Sequence, residues 1–179
     1  MIETMPSVRS YADRQYSTGI AQRPGGFLPE DIYGAALDSL VLVCVDCIPL
    51  HEDKMLLSRR ARLPHASWWT NGGRMRKGEL YQDAAARLMR AELGLSLAPA
   101  RFHLLGYYSL IWDQRAQEPQ DHGCHTLSVT HTIALTAAEI HHIALNDEYD
   151  GATWIAPATM LTSSQDYHPA LVQMIRDLT

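Results

Sequence analysis

Nothing in the chain narrows its architecture as sharply as the stretch from Gly72 to Leu95, GGRMRKGELYQDAAARLMRAELGL. Two leading glycines carry no side chain, so a ligand or a neighbouring strand can approach their backbone closely. Helix formers then run from Leu80 to Leu93 without a Gly or Pro, which predicts a helix. Gly94 supplies the stop, because glycine accepts the left-handed conformation that ends helices. On that helix Leu88, Ala91 and Glu92 are spaced i, i+3 and i+4 and share a patch. Glu92 is the lone carboxylate there, pointing back toward the glycine loop. Mg²⁺ takes oxygens from a carboxylate or two, from carbonyls and from substrate phosphates. Arg74 and Arg87 bracket the same region, and guanidinium groups suit phosphate recognition. Taken alone, a single glutamate on an amphipathic helix reads as a solvated surface group; the glycines and arginines give it a second meaning.

Around this segment the rest of the chain alternates between sheet and helix signals. Leu40 to Ile48 is apolar and β-branched and predicts a central strand, which Pro49 should end for want of an amide hydrogen. Lys54 to Arg60 reads as its hairpin partner after His51-Glu52-Asp53. Residues 61–76 read as a loop, 102–112 and 126–136 as strands, and 113–125 as a polar surface loop. Thr153 to Ile155 suggests a last short strand and Pro169 to Leu178 a terminal helix, with Tyr167 or His168 near its cap. Phe27 to Leu37 suggests a short helix started by Pro29. Residues 1–26 show no apolar period and read as a polar tail or arm, leaving 27–179 as one domain. The expected class is α/β (α+β).

Composition excludes several alternatives. The net charge is −5 over 179 residues, with no basic block of the kind that neutralises nucleic-acid phosphates. No run of about 18 apolar residues predicts a membrane span, and the first residues lack a signal peptide's apolar stretch. A cytoplasmic protein is the expectation. Cys44, Cys47 and Cys124 are odd in number, which argues against a disulfide framework. Cys44 and Cys47 stand three apart on a strand and so face opposite ways, as buried thiols rather than metal ligands. His122, Cys124 and His125 lie close together without a second ligand pair at zinc spacing.

The Gly72–Leu95 segment resembles the Nudix box, GX5EX7REUXEEXGU, through Gly73, Glu79, Arg87, Met89, Glu92, Gly94 and Leu95. The resemblance implies a Nudix fold, a mixed β-sheet sandwiched between helices. Leu88 and Ala91 stand where that box has glutamates, and a cluster of several cations cannot form without them. GGR, KGE and RLMRAELGL are similar to the box of the GDP-mannose mannosyl hydrolases. That branch keeps one divalent metal and releases the sugar by substitution at its anomeric carbon.

Carried over residue by residue, the resemblance implies Mg²⁺ (or Mn²⁺) held by the Gly72 carbonyl, Glu92 and Glu148. It implies substrate contacts from Asp46, Arg60 and Arg74, and arginines at the reaction centre in Arg74 and Arg87. Asp46 reads equally as a satisfied core aspartate, and Trp68 and Trp69 as core rather than stacking platforms. The branch's general-base histidine falls on Tyr149, a poor base near neutral pH with a pKa of about 10. The expectation is therefore that Glu148 orients the attacking water while Tyr149 contacts substrate, with His122, His125 and His131 as the fallback bases. Asn71 also replaces the usual proline, and the loop between Arg60 and Gly72 is one residue short. His141 and His142 read as surface groups. The expected activity is hydrolysis of a nucleotide sugar by a homodimer. A phosphoanhydride hydrolase and a non-catalytic nucleotide-sugar binding module are the alternatives.

Overall fold

The computed structural model of the protein describes residues 9–11, 14–19 and 27–179. A short antiparallel pair, β1 (Arg9–Tyr11) and β2 (Gln15–Ser17), comes first. The remainder of the expected tail lies outside the described residues, and the described part reaches the main body. Gln15 is buried; its Oε1 accepts from the Tyr81 amide at 2.7 Å and its Nε2 donates to Gln82 Oε1 at 2.8 Å. A helix start leaves its first amides unpaired, and here one finds its partner 66 residues away.

Helix α1 (Glu30–Ser39) follows Pro29. The apolar run becomes β3 (Val41–His51), which continues through Pro49 instead of stopping there. One edge of β3 pairs with β6 (Asn71–Arg74) over Cys44–Cys47 and with β4 (Lys54–Arg60) only at Leu50 and His51. Pro49 falls in the gap between those partners, where no amide hydrogen is missed. On the other edge β3 runs parallel to β8 (Cys124–Ala134), and β8 pairs antiparallel with β7 (His103–Trp112). The expected loop after β4 contains two strands, β5 (Trp68–Trp69) and β6, because β4 and β3 offer edges for them. β9 (Tyr149–Ile155) pairs with β4 and begins earlier than its sequence suggests.

Period-2 alternation sends Val45 and Cys47 to one face of this mixed sheet and Ile48 to the other. The first face packs on α2 (Tyr81–Leu93) through Ala84, Leu88, Met89 and Leu93. Gly94 closes α2 at φ 70°, the left-handed turn the sequence calls for. The opposite face packs on α5 (Pro169–Leu178) through Leu171, Val172, Met174 and Ile175. His168 caps α5, its Nδ1 accepting from the Ala170 amide at 3.2 Å. Two short helices, α3 (Ala137–Ile140) and α4 (Pro157–Thr162), complete the set. The sheet between α2 and α5 is the expected layered arrangement, and each side chain removed from water there contributes about 1.5–3 kcal/mol. Among the described residues no helix is long and apolar enough to cross a membrane.

Candidate active site

The double glycine opens the site. A Cβ on Gly72 would lie 2.4 Å from the Val45 carbonyl and 2.6 Å from Asp46 Oδ1, so only glycine lets β6 pair there. A Cβ on Gly73 would point the other way, 3.2 Å from Leu88. With both side chains missing, residues from the two faces of the sheet line one cleft of about 460 Å³. Asp46 and Cys44 come from β3, Leu88, Ala91 and Glu92 from α2, and Glu148 from the segment before β9. Arg60 and Arg74 line it as well.

Glu92 is 3% exposed. Its Oε2 accepts from the Gly72 amide at 2.9 Å and from the Tyr149 hydroxyl at 2.5 Å. Burial pushes its pKa up to about 7, with Glu148 and Asp46 adding to the rise and the two hydrogen bonds opposing it. Burial likewise raises Asp46, against the Ser128 hydroxyl that donates to it and the charge of Arg60. Asp46 is thus a satisfied buried aspartate that also faces the cleft.

These carboxylates disfavour one another's charge, and their donor atoms are all oxygen, which is the environment a hard divalent cation relieves. Among the described residues no three His, Cys, Asp or Glu side chains form a ready metal cage. A cation would therefore be held by Glu92 and Glu148 with backbone and substrate oxygens, the ligation Mg²⁺ accepts. The residues fit the group.

Two of the expected site residues have protein partners in the structure. Tyr149 was expected at the substrate; it is buried, and its hydroxyl holds Glu92 instead. The reason is strand alternation, since β9 turns residue 149 inward while Glu148 lines the cleft. Arg87 was expected on a diphosphate. Although it borders the cleft, its Nε and Nη2 bind Glu79 at 2.5 and 2.9 Å, and Nη2 also reaches the Arg74 carbonyl at 3.0 Å. Burial raises Glu79, but Arg87 and the Arg76 amide outweigh it and hold the carboxyl below its usual range. This pair shapes the loop that carries Arg74, a role compatible with the box spacing.

Arg74 lies over the Tyr33 ring at 4.7 Å. Arg60 Nε is buried with no hydrogen-bond partner among the described residues, so a ligand oxygen would satisfy it. The fallback histidines are elsewhere. His131 is fully buried beside the Val129 carbonyl. His122 and His125 line a shallow hollow of about 520 Å³ behind Trp112, where His122 meets Asp38 and His125 meets Ser109. The cleft holding Glu92 and Glu148 has the chemistry that hollow lacks. Trp69 is core, as expected, although its edge reaches the cleft. The three cysteines are free, and burial pushes the Cys44 thiol up to about 12.

Two features were not foreseen. Arg115, in the supposed surface loop, is 1% exposed; no local pattern marks a buried arginine. His65 packs among Trp69, Trp112 and His168, its ring 5.1 Å from that of His168.

The family described as NUDIX domain matches residues 41–178. The low-salt glycan biosynthesis protein Agl8 of Haloferax volcanii is 33% identical over 78 residues, taking in 43% of this chain and 50% of that protein. The chain therefore matches about half the length of that curated relative. A MutT NUDIX hydrolase from Burkholderia pseudomallei has a similar structure, with TM-score 0.59 and 20% identity over 79% of this chain and 100% of that one. A MutT/nudix family protein from Enterococcus faecalis gives 0.52 and 19%, covering 65% of this chain and 44% of its own. At these identities the two structures bear on the fold alone. The family match reaches from β3 to the end of α5 and includes the glycine loop, α2 and the strand that orients Glu92; the chain belongs to the NUDIX domain family.

Proposed function

We propose that the protein hydrolyses a nucleoside diphosphate sugar with the help of a divalent cation, releasing the sugar by substitution at its anomeric carbon. One observation carries this reading: of the residues α2 turns to the cleft, Leu88 and Ala91 are apolar and Glu92 is the carboxylate. Attack at phosphorus under several clustered cations needs more acidic ligands than this face offers. Expelling a diphosphate from carbon needs its charge matched and a water positioned.

Arg60 and Arg74 supply guanidinium groups that match the two phosphates. Asp46 accepts from a sugar or base hydroxyl or amine across the floor of the cleft. Glu148 orients the attacking water and takes its proton as the water oxygen bonds to the anomeric carbon. The bond from that carbon to the diphosphate oxygen breaks, and its electron pair leaves with the diphosphate. Products are the free sugar and a nucleoside diphosphate. Tyr149 and the Gly72 amide hold Glu92 in place throughout. A divalent cation, Mg²⁺ or Mn²⁺, held by Glu92, Glu148 and the Gly72 carbonyl would add positive charge beside the departing diphosphate. The glycan biosynthesis named for the Haloferax relative agrees with a sugar nucleotide.

The test is turnover of a panel of nucleotide sugars in ¹⁸O-water with Mg²⁺, read by mass spectrometry. Label on the free sugar beside unlabelled nucleoside diphosphate supports the proposal. Label in a phosphate beside a nucleoside monophosphate would instead mean cleavage between the phosphates, the more general reading of the family. Binding without turnover would mean a nucleotide-sugar binding module.

A further inference from the structure

The buried guanidinium of Arg115 has no part in the chemistry above, yet each of its three nitrogens donates a hydrogen bond. Nη1 donates to Asp38 Oδ1 at 2.6 Å and to the Gly123 carbonyl at 3.3 Å. Nε donates to the Gln117 carbonyl at 3.1 Å, and Nη2 to the Glu118 carbonyl at 3.3 Å. Three of these acceptors belong to the segment between β7 and β8; Asp38 belongs to α1. A buried charge is costly unless paired and hydrogen-bonded on all sides, so this arrangement exists only while helix and segment stay together. They also touch directly, since a Cβ on Gly34 of α1 would meet the Glu118 carbonyl at 2.9 Å.

Both joined pieces wall the cleft, α1 with Tyr33 and Leu37 and the segment with Ala116 and Gln117. α1 lies ahead of residues 41–178, the span the family shares. Leu37, Leu42 and Trp112 give this end apolar walls, and Gln117 adds an amide at the rim. Such a lining suits a planar heterocycle with two apolar faces better than a hexose with hydroxyls all around. Arg74, lying over Tyr33, connects this end to the phosphate groups.

We propose that Arg115 is a positioning residue that clasps α1 to the 113–123 segment as one cap, and that this cap seats the nucleobase and sets which base is accepted. The inference rests on the nucleoside diphosphate reading above. A cap fixed in advance binds at a smaller ordering cost, and loosening it weakens base contacts while leaving the phosphate groups alone.

Two variants attack the clasp from different sides: Asp38→Ala removes its acceptor on α1, and Gly34→Ala wedges helix from segment. Tryptophan fluorescence titrations of the full chain with GDP, ADP, UDP and pyrophosphate, all with Mg²⁺, read the effect. In the wild type one base is preferred. In Asp38→Ala that nucleoside diphosphate binds about tenfold more weakly and the preference among bases collapses, the scale of one lost positioning contact. Gly34→Ala shifts both in the same direction by less. Pyrophosphate affinity stays at the wild-type value, which also shows that each variant is folded. Wild-type base preference in both variants overturns the clasp alone, as does an equal loss for pyrophosphate. A wild type that binds pyrophosphate but none of the three nucleotides overturns the clasp together with the substrate reading beneath it.

Discussion

Helices α2 and α5 cover opposite faces of one sheet, yet they are built on different terms. α5 chiefly packs: His168 caps it, Pro169 begins it, and Leu171, Val172, Met174 and Ile175 bury an unbroken apolar stripe, with Tyr108 donating to Asp177 on its outer side. α2 depends on distant residues at every turn. Gln15 satisfies its first amide, Glu79 and Arg87 bind at its outer side, and Tyr149 reaches across to Glu92, a buried carboxylate close to Asp46 and Glu148. A helix that only packs can be specified by its own sequence. One that presents a charge inside the protein needs a supporting shell drawn from the whole chain.

The sharpest way to break this contrast is Glu92→Gln. Turnover should fall about a thousandfold, the several kcal/mol that charge stabilisation at a cation supplies. Thermal melts of the metal-free protein should show no loss of stability, because the amide removes a buried charge. Activity that persists with unchanged Mg²⁺ dependence would erase the distinction between the helices. The reverse experiment is Ile175→Ala on α5. It should cost about 2–5 kcal/mol in denaturant unfolding, while the folded fraction keeps its kcat/KM.

Acidity gives a third test. The Glu92 carboxyl is raised from 4.5 to about 7 in the native protein, so the native state holds its proton more tightly than the unfolded chain. Stability from this group is therefore complete below about pH 4.5 and is lost as pH rises to about 7, at up to about 1.4 kcal/mol per pH unit. Unfolding with a chelator present, at about pH 5 and about pH 8, should show that loss in the wild type and not in Glu92→Gln. Added Mg²⁺ should reverse it.

Smaller effects probe the supporting shell. Tyr149→Phe removes one hydrogen bond, about 1–1.5 kcal/mol. It should weaken Mg²⁺ binding five- to tenfold and lower the melting temperature by only a few degrees; unchanged Mg²⁺ affinity would deny Tyr149 its hold on Glu92. Arg87→Lys keeps the charge but loses the two-pronged contact with Glu79 and should cost about 1 kcal/mol of stability. A large rise in KM with intact stability would instead return Arg87 to the substrate.

What could be read in advance follows the same division. The extent of α5, the hairpin strand β4 and the Gly94 stop are local patterns, and the sequence states them openly. Thr136 and Glu139 form a capping box around α3, a signal present in the sequence and passed over because so short a helix has no apolar period. Pro49 misled because a proline's cost depends on which neighbour stands opposite, and β3 changes neighbours there. Glu92 was marked by its helix spacing and Glu148 only by the family resemblance, and both line one cleft. The partners of Tyr149 and Arg87, Glu92 and Glu79, are not legible in the sequence, since which face of β9 looks inward, and where Glu79 lies, are tertiary facts. Arg115 could not be read at all, because its stabilising acceptors include a residue 77 positions away.

The parallel pairing of β3 with β8 has a consequence for how the protein comes into being. Ser128 donates to Asp46 across 82 residues of chain, and Tyr149 to Glu92 across 57. Contacts of such long separation form late and slowly, because loop-closure entropy opposes them until much else is in place. A ribosome that has released only β3 to α2 has made the whole glycine loop and its glutamate, but not the strand that completes the floor or the tyrosine that sets the carboxylate. The nascent chain thus lacks Ser128, Glu148 and Tyr149 at the cleft until its last third has emerged, and a protein cut short by premature termination would bear the family's signature motif without the walls that enclose it.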